Sequence, residues 1–408
     1  MTIGALSRRG FRDLFVGQTI SSLGDWMATV AFMALTLEIT DSPAAVGGIL
    51  TLRLLPAALG GPLAARAIRH WDRRRTMLAM DVSRAGIVAL VPLIAELWWV
   101  YLCAVLLEVA SIVFLPARDA SIPDLVEPED LPVANGLVLG ASYGSIPIGA
   151  ALFAALTAMS FADAFDRPFA LVFWVDAASF LVSFLFIARL HQLRAPVGEV
   201  TTPDKVRFRD AFRIPLVRAV MPAAAAVAFG LGALFSMGIV FVRVVVDAGD
   251  VDFGVLIALF GVGAAGGLLV LRARVGHDPV RETRAGVLAI GVIVAAFSLT
   301  ASIGLAFVGA LLFGGAAAFT LASGMGALQS DLEGHERVLA FAAFHVVIRL
   351  ALGVAAVAAG LVGEALGDAD AGVIGSLEPA RVVLLASGLL VLLASLSVRA
   401  EQGSTVSA

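Results

Sequence analysis

The chain has 408 residues, of which 60% are hydrophobic and only 15% charged, and its mean hydropathy is +0.97. Soluble domains carry about 25% charged residues, so this composition excludes a soluble globular enzyme, a disordered chain and a nucleic-acid binder. The net charge of −4 says little, because in a membrane protein the placement of charge matters more than its sum. The one cysteine, Cys103, allows neither an internal disulfide nor a thiolate metal cluster.

A helix needs about 20 apolar residues to cross a bilayer. Twelve hydrophobic segments of that kind follow one another, at 12–38, 43–68, 76–96, 98–124, 131–159, 166–190, 214–243, 250–273, 283–304, 305–331, 335–365 and 379–399. Each is expected to be α-helical, since a spanning segment must satisfy its own backbone in lipid. The division between the ninth and tenth rests on a faint turn signal, Ala301-Ser302-Ile303-Gly304. The first segment is too long for a cleavable signal peptide, and no small-residue cleavage site follows it.

The basic residues are distributed unevenly. Twenty-two of the 28 fall in one alternating set of loops, and only Arg167, Arg243 and Arg381 in the other. Arg53, Arg84 and Arg349 lie inside spans. This bias places both termini in the cytoplasm and supports an even number of spans.

The two halves repeat. Phe11-Arg12 recurs as Phe212-Arg213; Gly61, Arg66 and Asp72 recur as Gly267, Arg272 and Asp278; Asp124-Leu125 with Glu129 recurs as Asp331-Leu332 with Glu336. The three offsets are 201, 206 and 207 residues. The reading is therefore an all-α membrane protein of twelve transmembrane helices in two six-helix halves. These are an N-terminal bundle over 1–190, a cytoplasmic linker over 191–213 and a C-terminal bundle over 214–408. Parallel six-helix repeats of this kind are a transporter architecture with a substrate site at mid-membrane.

Ionisable side chains at bilayer centre cost roughly 2.5–3.5 kcal/mol on insertion scales, so they must face a cavity or a partner. Helical rise puts Asp25 near the middle of the first span, and Arg53, Glu108, Asp176 and Arg349 well inside spans 2, 4, 6 and 11. His345 lies one turn before Arg349. Asp81 and Arg84 are a turn apart near the cytoplasmic end of span 3, where they read as a gate or packing pair. Trp26, Met27, Phe235, Met237 and Phe344 offer a deformable apolar cavity wall. Asp25 and Glu108 are the carboxylates deepest in the first half, and Arg53 is the nearest cation by depth. Competition between a proton and Arg53 for such a carboxylate would link protonation to conformation; a permanent ion pair is the structural alternative. No phosphate-binding loop, nucleophile motif or metal-ligand spacing occurs. The chain is thus not an enzyme and needs no cofactor, and an ion gradient, a proton gradient first of all, or the substrate's own gradient would drive it.

The loop after the second span reads Gly60-Gly61-Pro62-Leu63-Ala64-Ala65-Arg66-Ala67-Ile68-Arg69-His70-Trp71-Asp72-Arg73-Arg74-Arg75. It resembles the signature loop between helices 2 and 3 of the major facilitator superfamily. Leu23-Gly24-Asp25-Trp26, Arg53-Leu54-Leu55-Pro56, Phe114-Leu115-Pro116-Ala117-Arg118-Asp119, Ala134-Asn135-Gly136 and Asp176-Ala177-Ala178-Ser179-Phe180-Leu181 narrow the resemblance to its drug-efflux branch. That branch includes macrolide efflux proteins and the enterobactin exporter. The resemblance implies a major facilitator fold and a cytoplasmic gate, here Gly61, Arg69, Asp72, Arg73, Asp81 and Arg84. It also implies export of small amphipathic molecules, of drug or siderophore type, through the cell membrane by proton antiport, with protons, substrate and the lipid bilayer as partners and a monomer as the working unit. Three departures stand out. Arg69 occupies the place of the loop's usual aspartate, Glu108 that of an arginine common in helix 4. Ile146-Pro147-Ile148-Gly149-Ala150 keeps the antiporter proline without its preceding glycine. A lipid or lysolipid flippase and a non-transporting sensor or scaffold are the competing functions; the buried charges speak against the last.

Overall fold

The computed structural model of the protein describes residues 4–59, 71–159, 167, 169–191, 193, 208–273, 279–330, 332, 334–368 and 378–396. Among these residues there is no strand, and there are twelve helices of 17–35 residues. They are α1 (Arg9–Thr40), α2 (Pro43–Leu59), α3 (Arg73–Leu90), α4 (Leu97–Asp119), α5 (Leu131–Thr157), α6 (Ala170–Ala188), α7 (Pro215–Val240), α8 (Asp250–Ala273), α9 (Pro279–Ser298), α10 (Ile303–Ser330), α11 (Gly334–Asp368) and α12 (Pro379–Ser395). Each falls on one of the twelve hydrophobic segments. The starts of α7 to α12 follow those of α1 to α6 by 203–209 residues, so the repeat in the sequence is a repeat of helices. Nine of the described helices are long and apolar enough to cross a membrane. The other three are α2 and α12, described over 17 residues each, and α9, which opens on Arg281, Glu282 and Arg284.

The described residues form two compact units. The first holds Met1–Ala45, Leu52–Thr201 and Gly249–Ala258, and the second holds Val46–Thr51, Thr202–Ala248 and Leu259–Ala408. In the first, α1 packs most extensively on α6 and α5, and α3 on α6 and α4. In the second, α7 packs on α11 and α12, and α9 on α12 and α10, which is the same pattern one repeat later. Leucines and valines such as Leu185, Leu269, Leu305 and Leu393 stand exposed on the helices, as a lipid-facing surface requires.

Local chemistry sets where the helices begin and end. Asp41 closes α1 in the left-handed region, φ 51°, with its N–H on Leu37 O at 2.7 Å; a short polar side chain tolerates that conformation. Asp72 opens α3 as an N-cap, its carboxylate accepting from the Arg75 N–H at 2.7 Å. That cap starts α3 at residue 73, and a 3₁₀ turn over Val91–Leu93 ends it early. Asp81 and Arg84 therefore sit at the middle of the helix, where the span expected at 76–96 would place them nearer its end.

One device recurs at helix C-termini, where the last carbonyls lack intrahelical donors. Arg73 donates to Ala120 O after α4, and Arg74 to Ala188 O at the end of α6. Arg167 Nη1 takes Pro92 O at 3.1 Å after α3, and also Leu93 O. Arg381 Nη1 takes Ser298 O at 2.9 Å and Thr300 O at 2.6 Å at the end of α9. Each guanidinium also meets the negative end of a helix dipole.

Candidate functional site

The first unit contains a charged seam between α1, α2, α3 and α6. Asp25 of α1 accepts from Arg53 Nη2 of α2 at 3.0 Å. The Arg53 guanidinium also lies 5.3 Å from the centre of the Phe32 ring, while its Nη1 is buried without a hydrogen-bond partner. The two side chains are 13% (Arg53) and 32% (Asp25) exposed, which makes this the one pair of the seam with a carboxylate still open to surroundings.

In the same seam, Arg84 pairs with Asp81 on the same face of α3. Both are almost fully buried, at 3% and 0%. Asp81 also accepts from Ser183 Oγ of α6 at 2.8 Å, and Ser183 in turn accepts from Gln18 Nε2 of α1 at 3.0 Å. Arg84 is layered between two rings, 4.0 Å from the centre of Phe114 and 4.4 Å from that of Phe180. Cation–π contacts of this kind strengthen when desolvated, to about 2 kcal/mol.

Asp176 of α6 is completely buried. Its Oδ1 accepts from Ser179 Oγ at 3.0 Å, one turn on, and its Oδ2 has no hydrogen-bond partner. Gly24 of α1 makes this possible: a Cβ there would fall 2.9 Å from Ser179 Cβ and closer still to Asp176 Oδ1 and Ser179 Oγ. Asp25, Arg53 and Arg84 lie within electrostatic range of Asp176, and Asp25 within range of Asp81. Asp176, Ser179 and Ser183 thus form a polar stripe on an apolar helix. That i, i+3, i+7 spacing is the signal that could have located Ser183 from sequence; Gln18, Phe114 and Phe180 carry none.

The remaining expected residues are spread more widely. Glu108 is half-buried on α4. Asp72 is the cap of α3, and Arg73 pairs with Asp124 at 2.7 Å. Gly61 and Arg69 lie outside the described residues, and so do the side chain of His345 and most of the expected linker. Trp26 is half-buried, its Nε1 donating to Ser142 O of α5 at 3.0 Å. Met27 is buried beside it, where Gly149 lets α5 approach the α1 backbone. In the second unit Phe235 is half-buried against Phe260, ring centres 6.4 Å apart. Met237 is buried against Gly363, and Phe344 is buried in a core with Val217, Met221 and Leu339. Arg349 is half-buried. Among the described residues no group of three or more metal-binding side chains occurs.

The sequence profile of the Major Facilitator Superfamily matches residues 14–356. The chain is 26% identical over 246 residues to the uncharacterized MFS-type transporter YfiS of Bacillus subtilis, a match covering 58% of this chain and 57% of that one. It is 21% identical to the uncharacterized MFS-type transporter YvqJ of the same organism, over 98% of this chain and 95% of the relative. The crystal structure of a bacterial homolog of the human lysosomal transporter Spinster, inward-facing and unoccupied, superposes with a TM-score of 0.75 at 17% identity, covering 95% of each chain. That likeness is one of fold.

Proposed function

Because the chain belongs to the major facilitator superfamily, we propose that this transporter exports small amphipathic molecules from the cell in exchange for protons, with both termini in the cytoplasm. The observation that carries the reading is the Asp25–Arg53 pair: a carboxylate and a guanidinium at 3.0 Å, inside spanning helices, with the carboxylate one-third exposed. Asp81 and Arg84, paired within one helix and almost fully buried, offer no such opening. An exposed carboxylate bound to a single arginine can be taken by a proton or by a cationic substrate. Either one releases Arg53, whose second nitrogen is already without a partner.

The other residues take roles around this pair. Glu108 is the second titrating carboxylate. Trp26 in the first unit and Phe235 in the second, both half-buried, are each an apolar contact of the kind that favours amphipathic cargo. Met27, Met237 and Phe344 are buried in the cores of their own units, from which they would support such contacts. Gly61, Arg69, Asp72 and Arg73 form the cytoplasmic gate, and Arg349 with His345 supplies the ionisable groups of the second half.

The test uses proteoliposomes with an imposed pH gradient and a panel of lipophilic cations, ethidium and tetraphenylphosphonium first. Asp25→Asn and Glu108→Gln keep shape and hydrogen-bonding capacity while removing titration. Gradient-driven efflux is expected to be lost, with exchange of labelled for unlabelled substrate retained. Efflux at the wild-type rate in both variants would sink the coupling role. A wild-type protein that moves none of the panel, but flips a fluorescent lysophospholipid, would replace the cargo.

A further inference from the structure

Resting on the proton-coupled reading above, we propose that Asp176 Oδ2 is the seat of the exchanged proton and that Asp25 is the group that passes it on. The seam contains three carboxyl groups, on Asp25, Asp81 and Asp176, and two guanidiniums, on Arg53 and Arg84. Arg53 is bound to Asp25 and Arg84 to Asp81, so the third carboxyl has no cation of its own. Asp176 is also the most enclosed of the three: 0% exposed, with one hydroxyl on Oδ1 and nothing on Oδ2. An isolated ionised carboxylate in an apolar interior costs far more than a neutral polar group. One proton on Oδ2 brings the seam to zero net charge.

The neighbours of Asp176 agree with a proton rather than a metal cation or a salt bridge. From α1, Gly24 closes against Oδ1 so tightly that a methyl group would not fit. From α3 come Asp81 and Arg84, already joined to each other; from α2 comes Arg53, held by Asp25. Neither α5 nor the rest of α6 contains a charged residue. Gly24 precedes Asp25 directly, and the Asp25 carboxyl lies within electrostatic range of Asp176. The step is a single transfer. The O–H bond of a protonated Asp25 breaks, the Asp176 Oδ2–H bond forms, and Asp25 remains as the carboxylate that Arg53 holds at 3.0 Å. Charge is conserved and no other reactant takes part. The structure corresponds to the state after the transfer.

The experiment is pH-jump infrared difference spectroscopy on the full-length protein in proteoliposomes, following the C=O stretch of a protonated carboxyl. The wild type is expected to show such a band. Asp176→Asn removes it. Asp25→Asn keeps it but slows its appearance about tenfold or more, equivalent to ~1.4 kcal/mol of barrier. Ser179→Ala, which deletes the one donor to the carboxyl, moves the titration midpoint. A band that survives Asp176→Asn overturns the proposal. Should that variant not fold, an unmoved midpoint in Ser179→Ala overturns it instead. Gradient-driven efflux read on the same vesicles separates this site from the antiport reading. Loss of the band in Asp176→Asn, with wild-type transport indifferent to the gradient, keeps the site and sinks antiport. Gradient-driven transport with a band that ignores Asp176 does the reverse.

Discussion

In the first unit, α3 meets α6 through a clasp of side chains: Asp81 accepts from Ser183 and holds Arg84 between two phenylalanines. In the second unit the corresponding helices, α9 and α12, meet through bare backbone. A Cβ on Gly388 would lie 2.7 Å from Ala295 N, and one on Gly291 would lie 2.8 Å from Leu392 N. Around that crossing sit Val287, Ile290, Val294 and Val391, all buried. The middle of the same crossing is thus held once by a charged pair and once by close glycine contacts, with Arg381 of α12 reaching only the end of α9 in the second unit. The fold does not require the charge. Buried ion pairs are often no more stabilising than apolar residues of the same volume, so stability alone does not account for the seam in the first unit.

The comparison can be broken from the charged side first. Asp81→Ala leaves Arg84 buried without its carboxylate, and breaking a buried pair from one side costs about 3–5 kcal/mol. Asp81→Leu together with Arg84→Met is expected to recover most of that loss, bringing the first unit closer to the second. Cys103, the one cysteine and buried in α4, makes the measurement simple. A thiol-reactive fluorogenic dye on the detergent-purified protein reports unfolding as that thiol becomes accessible. If Asp81→Ala melts with the wild type, the clasp carries no structural weight.

From the apolar side, Gly388→Leu forces α12 away from α9. Overpacking a core costs about 1–3 kcal/mol, and the same dye assay is expected to show a lowered melting temperature. The matched change in the first unit, Ser183→Leu, removes a donor from Asp81 as well and is expected to cost more. Equal losses would mean that the two crossings are energetically alike.

The smallest effect concerns the arginines at helix C-termini. Arg381→Ala removes two carbonyl bonds, each worth about 1 kcal/mol. It also removes the Glu378 pair, at 2.8 Å. The Glu378 side chain is 40% exposed, and its carboxyl is held below the usual glutamate value, first by its own backbone N–H and then by Arg381. Its contribution is therefore present above the ordinary glutamate range and fades as pH falls through the lowered value. Glu378→Gln is expected to flatten that acid limb of stability against pH, and Arg167→Ala, which has no carboxylate partner among the described residues, to leave it unchanged.

Much of the architecture was legible because a bilayer imposes a length and a polarity on each helix. All twelve described helices fall on hydrophobic segments, and even the faint signal at Ala301-Ser302-Ile303-Gly304 lies at the break between Ser298 and Ile303. Depth along a helix was legible too, which is how Asp25, Arg53 and Asp176 could be placed within spans. Rotation about the helix axis was not. In α1, buried from Met27 to Leu37 on every side, apolar periodicity does not say which face meets α6. Hence Gln18 and the two rings on Arg84 emerge only from packing, whereas Ser183 could be found by its spacing from Asp176. Asp72 shows the opposite limit: a family loop suggests a gate, and local geometry gives that aspartate a capping bond as well.

The arginines at helix ends bear on how the chain is threaded into a bilayer. The loops poor in basic residues contain Arg167, Arg243 and Arg381, and two of these three guanidiniums are bound to backbone carbonyls at the ends of α3 and α9. Those carbonyls belong to helices inserted earlier in the chain, so each arginine finds its acceptors only when the later helix docks. Until that moment it is a cation that resists crossing the membrane; afterwards its charge is answered from within. The field around each such loop is then weaker than a count of arginines would suggest.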